Sequence, residues 1–223
     1  MNFYKSVGLG VLTLLAIGQT AMAGTFKGVE FPQNEISFAD NVKSYFRGSG
    51  VGREYRLSEQ ALGTPDYARR CRGCDYVSLG NGGSLVLEFT DNYLTGSGNG
   101  DFDLWVFEIG TAVEATFVEI SKDGNTWFDV GKVAGSTSGV DLDAFGFGIE
   151  DLFSFVRLTD DLAGAGRSYP SAGADIDAVG AISTIAKSEV ADLQNVPEAS
   201  NLLGLVGLVF VMMLGIKRKR KKA

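Results

Sequence analysis

The chain has 223 residues, with 20 Lys and Arg against 27 Asp and Glu, no histidine and two cysteines, for a formal net charge of −7. The lack of histidine excludes His-dependent triads and His-ligated zinc, and two cysteines cannot complete a zinc site by themselves. The acidic balance argues against nucleic acid as a partner.

The first element is a secretory signal over residues 1–23. Lys5 supplies the positive start, Val7 to Ile17 the short apolar stretch, and Ala21-Met22-Ala23 an A-x-A cleavage site. Cleavage between Ala23 and Gly24 is the expectation. The body from Gly24 to Val196 then has about 170 residues, one domain's worth, and a net charge of about −13. Its short alternating or apolar runs between turn signals predict an all-β sandwich over 24–184. A helical turn is expected around Ser58 to Leu62. Strands are expected at Ser84–Phe89, Asp103–Ile109, Thr116–Ser121, Thr126–Val130, Phe153–Leu158 and Asp175–Ile182. Lys122-Asp123-Gly124-Asn125 predicts a tight hairpin joining the third and fourth of these. Residues 185–195 read as a linker.

The chain ends in Val196-Pro197-Glu198-Ala199-Ser200, an apolar run from Leu202 to Ile216, and six consecutive basic residues from Lys217. Leu202 to Ile216 is short for a span, but counting from Ala199 the stretch suffices for a transmembrane helix at about 199–216 in a thin or locally thinned membrane, and the basic cap would stay on the cytoplasmic side. Residues 196–223 resemble the PEP-CTERM sorting signal of Gram-negative bacteria, with Pro197-Glu198 as the signature dipeptide. The resemblance implies an exosortase-type membrane protease as partner, cleavage near that dipeptide, and a place at the cell surface or in the extracellular matrix. The alternative is an ordinary tail anchor.

Four phrases of the body are Ala61-Leu62-Gly63-Thr64-Pro65-Asp66, Val118 to Trp127, Phe155 to Asp160, and Ala174 to Val179. Together they resemble the galactose-binding-like (discoidin-type) jelly roll. That resemblance implies loops that bind carbohydrate, polymer or protein, with extracellular polysaccharide as the expected ligand and no catalysis. A surface protein with no small ligand, or a small carboxylate-dependent glycan hydrolase, are the alternatives.

Calcium needs six to eight hard oxygens, and Asp66, Asp101, Asp103, Asp175 and Asp177 are the candidate ligands. Asp175 and Asp177 are two apart on one strand, so they share a face and would repel unless paired or metal-bound. Asp141 and Asp143 form a second such pair. Cys71 and Cys74 read as a small-loop disulfide in an exported chain. Arg69, Arg70 and Arg72 mark a basic spot beside them. Tyr45, Phe46, Tyr55, Tyr67, Tyr76, Tyr93 and Tyr169 are the loop aromatics available to a sugar ring. Trp105, Trp127, Phe145 and Phe147 are expected in the core.

Overall fold

The computed structural model describes residues 22–68, 75–109, 114–163 and 169–194. Two antiparallel sheets face each other. The larger has the order β3 (Asn41–Phe46), β5 (Ser84–Glu88), β11 (Phe155–Asp160), β8 (Ala115–Ser121) and β9 (Phe128–Ala134). The smaller has β10 (Thr137–Val140), β7 (Leu104–Glu108), β12 (Asp175–Ala181) and β4 (Val77–Ser78). Every strand expected from sequence is present, most of them shifted at an end.

Alternation explains the arrangement. In β8, Thr116, Val118 and Ile120 are buried, while Phe117 is 41% exposed. Leu85, Leu87, Val118, Ile120, Val156 and Leu158 of one sheet meet Leu104, Val106, Ile176 and Val179 of the other in the main core. Each such burial contributes roughly 1.5–3 kcal/mol before entropy is counted. The Asp123-Gly124 turn joins β8 to β9 as expected. Gly124 has φ +75°, and Asp123 Oδ1 accepts the amides of Asn125 at 2.9 Å and Thr126 at 2.8 Å.

The outer face of the smaller sheet is also covered. A hairpin of β1 (Gly24–Phe26) and β2 (Val29–Phe31) packs there with the following segment. Phe31, Phe38, Phe107 and Ala178 form a second cluster on this face. A side chain at Gly180 would meet the rings of Phe31 at 2.7 Å and Phe38 at 2.8 Å, so this close approach needs glycine. Val51, Tyr55, Tyr76 and Ile109 form a third cluster.

Several expectations are corrected. Ser58–Ala61 is a 3₁₀ turn, one residue shorter than expected. Residues 185–194 are not a linker. Thr184–Ala186 is strand β13, paired with β6 (Asn92–Leu94), and Lys187–Gln194 is helix α1. Lys187 ties them down, its amide donating to Asp91 O at 2.7 Å and its ammonium to Phe89 O at 2.6 Å. Tyr55 and Tyr76 are buried, 5% and 8% exposed, and cannot offer a ligand platform. Phe145 is 46% exposed rather than core, and Trp127 is half-buried under the Arg157 guanidinium, 4.3 Å from its ring centre. Among the described residues no helix is long and apolar enough to cross a membrane. The expected transmembrane stretch, Val196, Pro197, Glu198, Ala199, Ser200, Cys71 and Cys74 all lie outside the described residues.

Candidate functional site

The carboxylates expected to hold one cation divide into separate groups. β7 and β12 are antiparallel, so Asp103, just ahead of β7, lies beside the end of β12, while Asp175 opens β12 at the opposite end of the sheet. Ile182 and Ser183 donate their amides to Asp103 O, which fixes this placement. Asp103 is brought together with Asp141 and Asp143, with one carboxylate oxygen of each within 4.8 Å of the others. Asp66 and Asp101 are not part of that group.

The trio consists of hard oxygen donors, as calcium requires. It also has protein partners already. Asp103 Oδ1 accepts from Ser183 Oγ at 2.6 Å and Oδ2 from the Leu142 amide at 2.8 Å. Asp143 Oδ2 accepts from the amides of Ser97 and Gly98 at 2.9 Å and 3.0 Å, and from Ser97 Oγ. Asp141 Oδ1 accepts from the Ala144 amide at 3.3 Å. Burial pushes the Asp103 carboxyl up, against the lowering effect of these donors. The residues therefore fit a cation through their remaining lone pairs, within a loop closed by amide donors.

Asp175 and Asp177 do share a face, outward from the main core, because Ala174, Ile176, Val179 and Ala181 point inward. A bulge between Ile176 and Ala178 leaves Asp177 as the unpaired residue of β12. Burial and hydrogen bonds moderate their expected repulsion. Burial holds Asp175 up at about 8, so it keeps its proton at neutral pH, and it is hydrogen-bonded to Ser78 Oγ. Asp177 Oδ1 accepts the amides of Asp66 at 3.2 Å and Tyr67 at 3.3 Å. Glu108 and Glu114, both buried, extend the acidic group. Desolvation first, and each other second, shift them so that Glu108 is raised well above the usual carboxylate range.

The end of the sandwich that includes Asp175 carries three arginines that the sequence reading did not single out. Segment 47–57 is stitched to two loops by bridges from Ser49 to Asn81 and Val51 to Ser171, and by the Gly52 amide on Pro170 O at 2.6 Å. Arg47, Arg53 and Arg56 are exposed on it. Burial raises the Tyr45 hydroxyl against the charges of Arg47 and Arg56, so both arginines lie within electrostatic reach of it. Arg56 donates twice to Val51 O, which fixes its direction. Among the described residues none of the three forms an ion pair. Phe46, 69% exposed, precedes Arg47, and Tyr169, 73% exposed, precedes Pro170. Three arginines within ten residues of an acidic chain were the available sequence signal.

The chain matches no protein family and no curated protein in sequence. Among the solved structures that resemble it are two carbohydrate-related domains. CpGH89CBM32-6 produced by Clostridium perfringens has 11% identity and a TM-score of 0.34, over 65% of this chain and 92% of that one. The C-terminal domain of a chitobiase from Bacteroides fragilis has 12% identity and a TM-score of 0.37, over 66% and 94%. Likenesses at this level assign the chain to no family.

Proposed function

We propose that the chain is an exported, non-catalytic surface protein that binds an anionic extracellular polysaccharide at its arginine-bearing end. The observation that carries the binding is the set of arginines Arg47, Arg53 and Arg56, which form no ion pair among the described residues, beside exposed Phe46 and Tyr169 on a chain of net charge −7. Arginine forks match carboxylate and sulfate oxygens bidentately, and exposed aromatics offer a flat face to a sugar ring. On an acidic molecule, arginines without carboxylate partners have their charge available for an outside anion. The body belongs, in this reading, to the galactose-binding-like sandwiches, with calcium held by Asp103, Asp141 and Asp143 as a structural ion.

The test is binding of polygalacturonate, with neutral dextran as control, at rising salt. Polygalacturonate is expected to bind with salt-sensitive affinity, and an Arg47→Gln/Arg56→Gln variant to lose it by about tenfold or more. Equal binding to dextran, or an unaffected variant, would refute the reading. Binding to neither polymer would favour a surface protein with no small ligand.

Export and sorting rest on the two terminal segments of the sequence. An exosortase-type protease would act near Pro197-Glu198 while the apolar run holds the chain in the membrane. The mass of the protein recovered outside the cell tests this. A species from Gly24 to near Val196 is expected, and one that keeps Lys217 to Ala223 would overturn the sorting step.

A further inference from the structure

The outer face of the smaller sheet holds a cavity of about 200 Å³, lined by Lys27, Tyr67, Phe107, Ile109, Thr137 and Asp177 among others. It lies where the tip of the β1–β2 hairpin meets the segment around Tyr67, since Lys27 Nζ donates to Tyr67 O at 3.1 Å. Asp177 is 1% exposed. Its Oδ1 is used by the Asp66 and Tyr67 amides, but its Oδ2 is buried with no hydrogen-bond partner among the described residues. A buried carboxylate oxygen without a donor is costly, and Asp177 belongs to the lining of this cavity.

We infer that this cavity binds a small protonated amine, whose ammonium is received by Asp177 Oδ2 and whose carbon body covers Phe107 and Ile109. The negative charge that receives the cation is that of Asp177 itself. Among the described residues Lys27, on the hairpin tip, opposes it and acts on Asp177 more strongly than Asp66, which adds negative charge. Glu108, also on the lining, is held protonated at neutral pH and adds little charge. An ammonium supplies three donors in a compact head, and Tyr67 and Phe107 provide an aromatic wall that suits it. The lining includes none of the three arginines, so the polysaccharide reading can fail without affecting it, although Ile109 and Tyr67 pack in one cluster with Val51 and Tyr55 of the arginine segment.

The experiment uses the purified, ¹⁵N-labelled full chain and n-butylammonium chloride as probe, with n-butanol as the uncharged control, at pH 7.5. The amide signals of Asp66, Tyr67 and Thr137 are followed by NMR. Saturable shifts with a Kd of about 1 mM or tighter are expected for the amine alone. Asp177→Asn should weaken it by about tenfold or more. Lys27→Gln, at an exposed position and with a side-chain amide that can still donate to Tyr67 O, should tighten it about two- to fivefold by removing the opposing charge. Lowering the pH from 7.5 to 5 should release the amine, because burial places Asp177 at about 6 and its proton removes the charge. No saturable shift, equal binding of butanol, or an unchanged Lys27→Gln would overturn the inference. If Asp177→Asn fails to fold, the Lys27→Gln result decides.

Discussion

Asp175 makes the folded protein sensitive to alkali. Its carboxyl is 7% exposed and is pushed from its ordinary 3.8 up to about 8, first by desolvation. The folded-state value lies above the unfolded one, so its contribution is fully present below about pH 3.8 and is lost as the pH rises through 8. At pH 7, about three pH units above the ordinary value, the proton costs about 1.4 kcal/mol per unit, hence about 4 kcal/mol relative to the unfolded chain. Asp175→Asn keeps the shape and the Ser78 contact while removing the titration. Relaxation and imperfect replacement of the hydrogen bonds should leave about half of the gain. The variant is then about 2 kcal/mol more stable than the parent at pH 8 and no more stable at pH 4.5. Urea unfolding at pH 4.5, 6 and 8 measures this. The reasoning is refuted if the difference between variant and parent is the same at all three pH values. It is refuted equally if the variant is the weaker protein at pH 8.

Leu104 is fully buried between the sheets, so Leu104→Ala should cost about 2–5 kcal/mol in urea unfolding, with an unchanged m-value. Gly83→Ala should cost about 2 kcal/mol or more, because the new Cβ would lie 1.9 Å from Leu79 O and 2.6 Å from the Gly48 amide nitrogen; thermal unfolding reads it directly. Calcium at millimolar concentration should raise the Tm of the parent, and Asp143→Asn should abolish the rise while retaining the fold. An equal rise in both would place any calcium elsewhere.

The parts of the fold legible in the sequence are those with local chemistry. Asp123-Gly124 announces its hairpin because the turn needs positive φ and a side-chain acceptor, both present within four residues. β8 announces itself by strict alternation. β10, Thr137–Val140, was not anticipated, because Thr, Ser and Gly carry no apolar period and the strand exists through its pairing with β7. β13 was read as linker for the same reason, its partner β6 lying about 90 residues away in sequence. The candidate site shows the same division. Spacing correctly placed Asp175 and Asp177 on one face, but it could not show that a bulge separates their environments or that burial acts on both carboxyls while backbone amides reach Asp177. Asp103 meets Asp141 and Asp143 only because antiparallel β7 and β10 bring distant loops to one end. Lys27 reaches the Asp177 cavity through a hairpin fold-back that has no sequence motif.

β12 also gives the molecule a front and a rear. Its start lies beside Leu79 and Gly80, which bond to Ala174 and Ala172, and so beside the arginine segment stitched to the same loops. Its end runs into β13 and α1, the last described element of the chain, and Gly180 sits near Phe31 and Phe38 behind β1. Seven residues of strand separate the two, a distance of roughly 20 Å. A force that enters through β13 would therefore reach β12 at the end opposite the arginine segment.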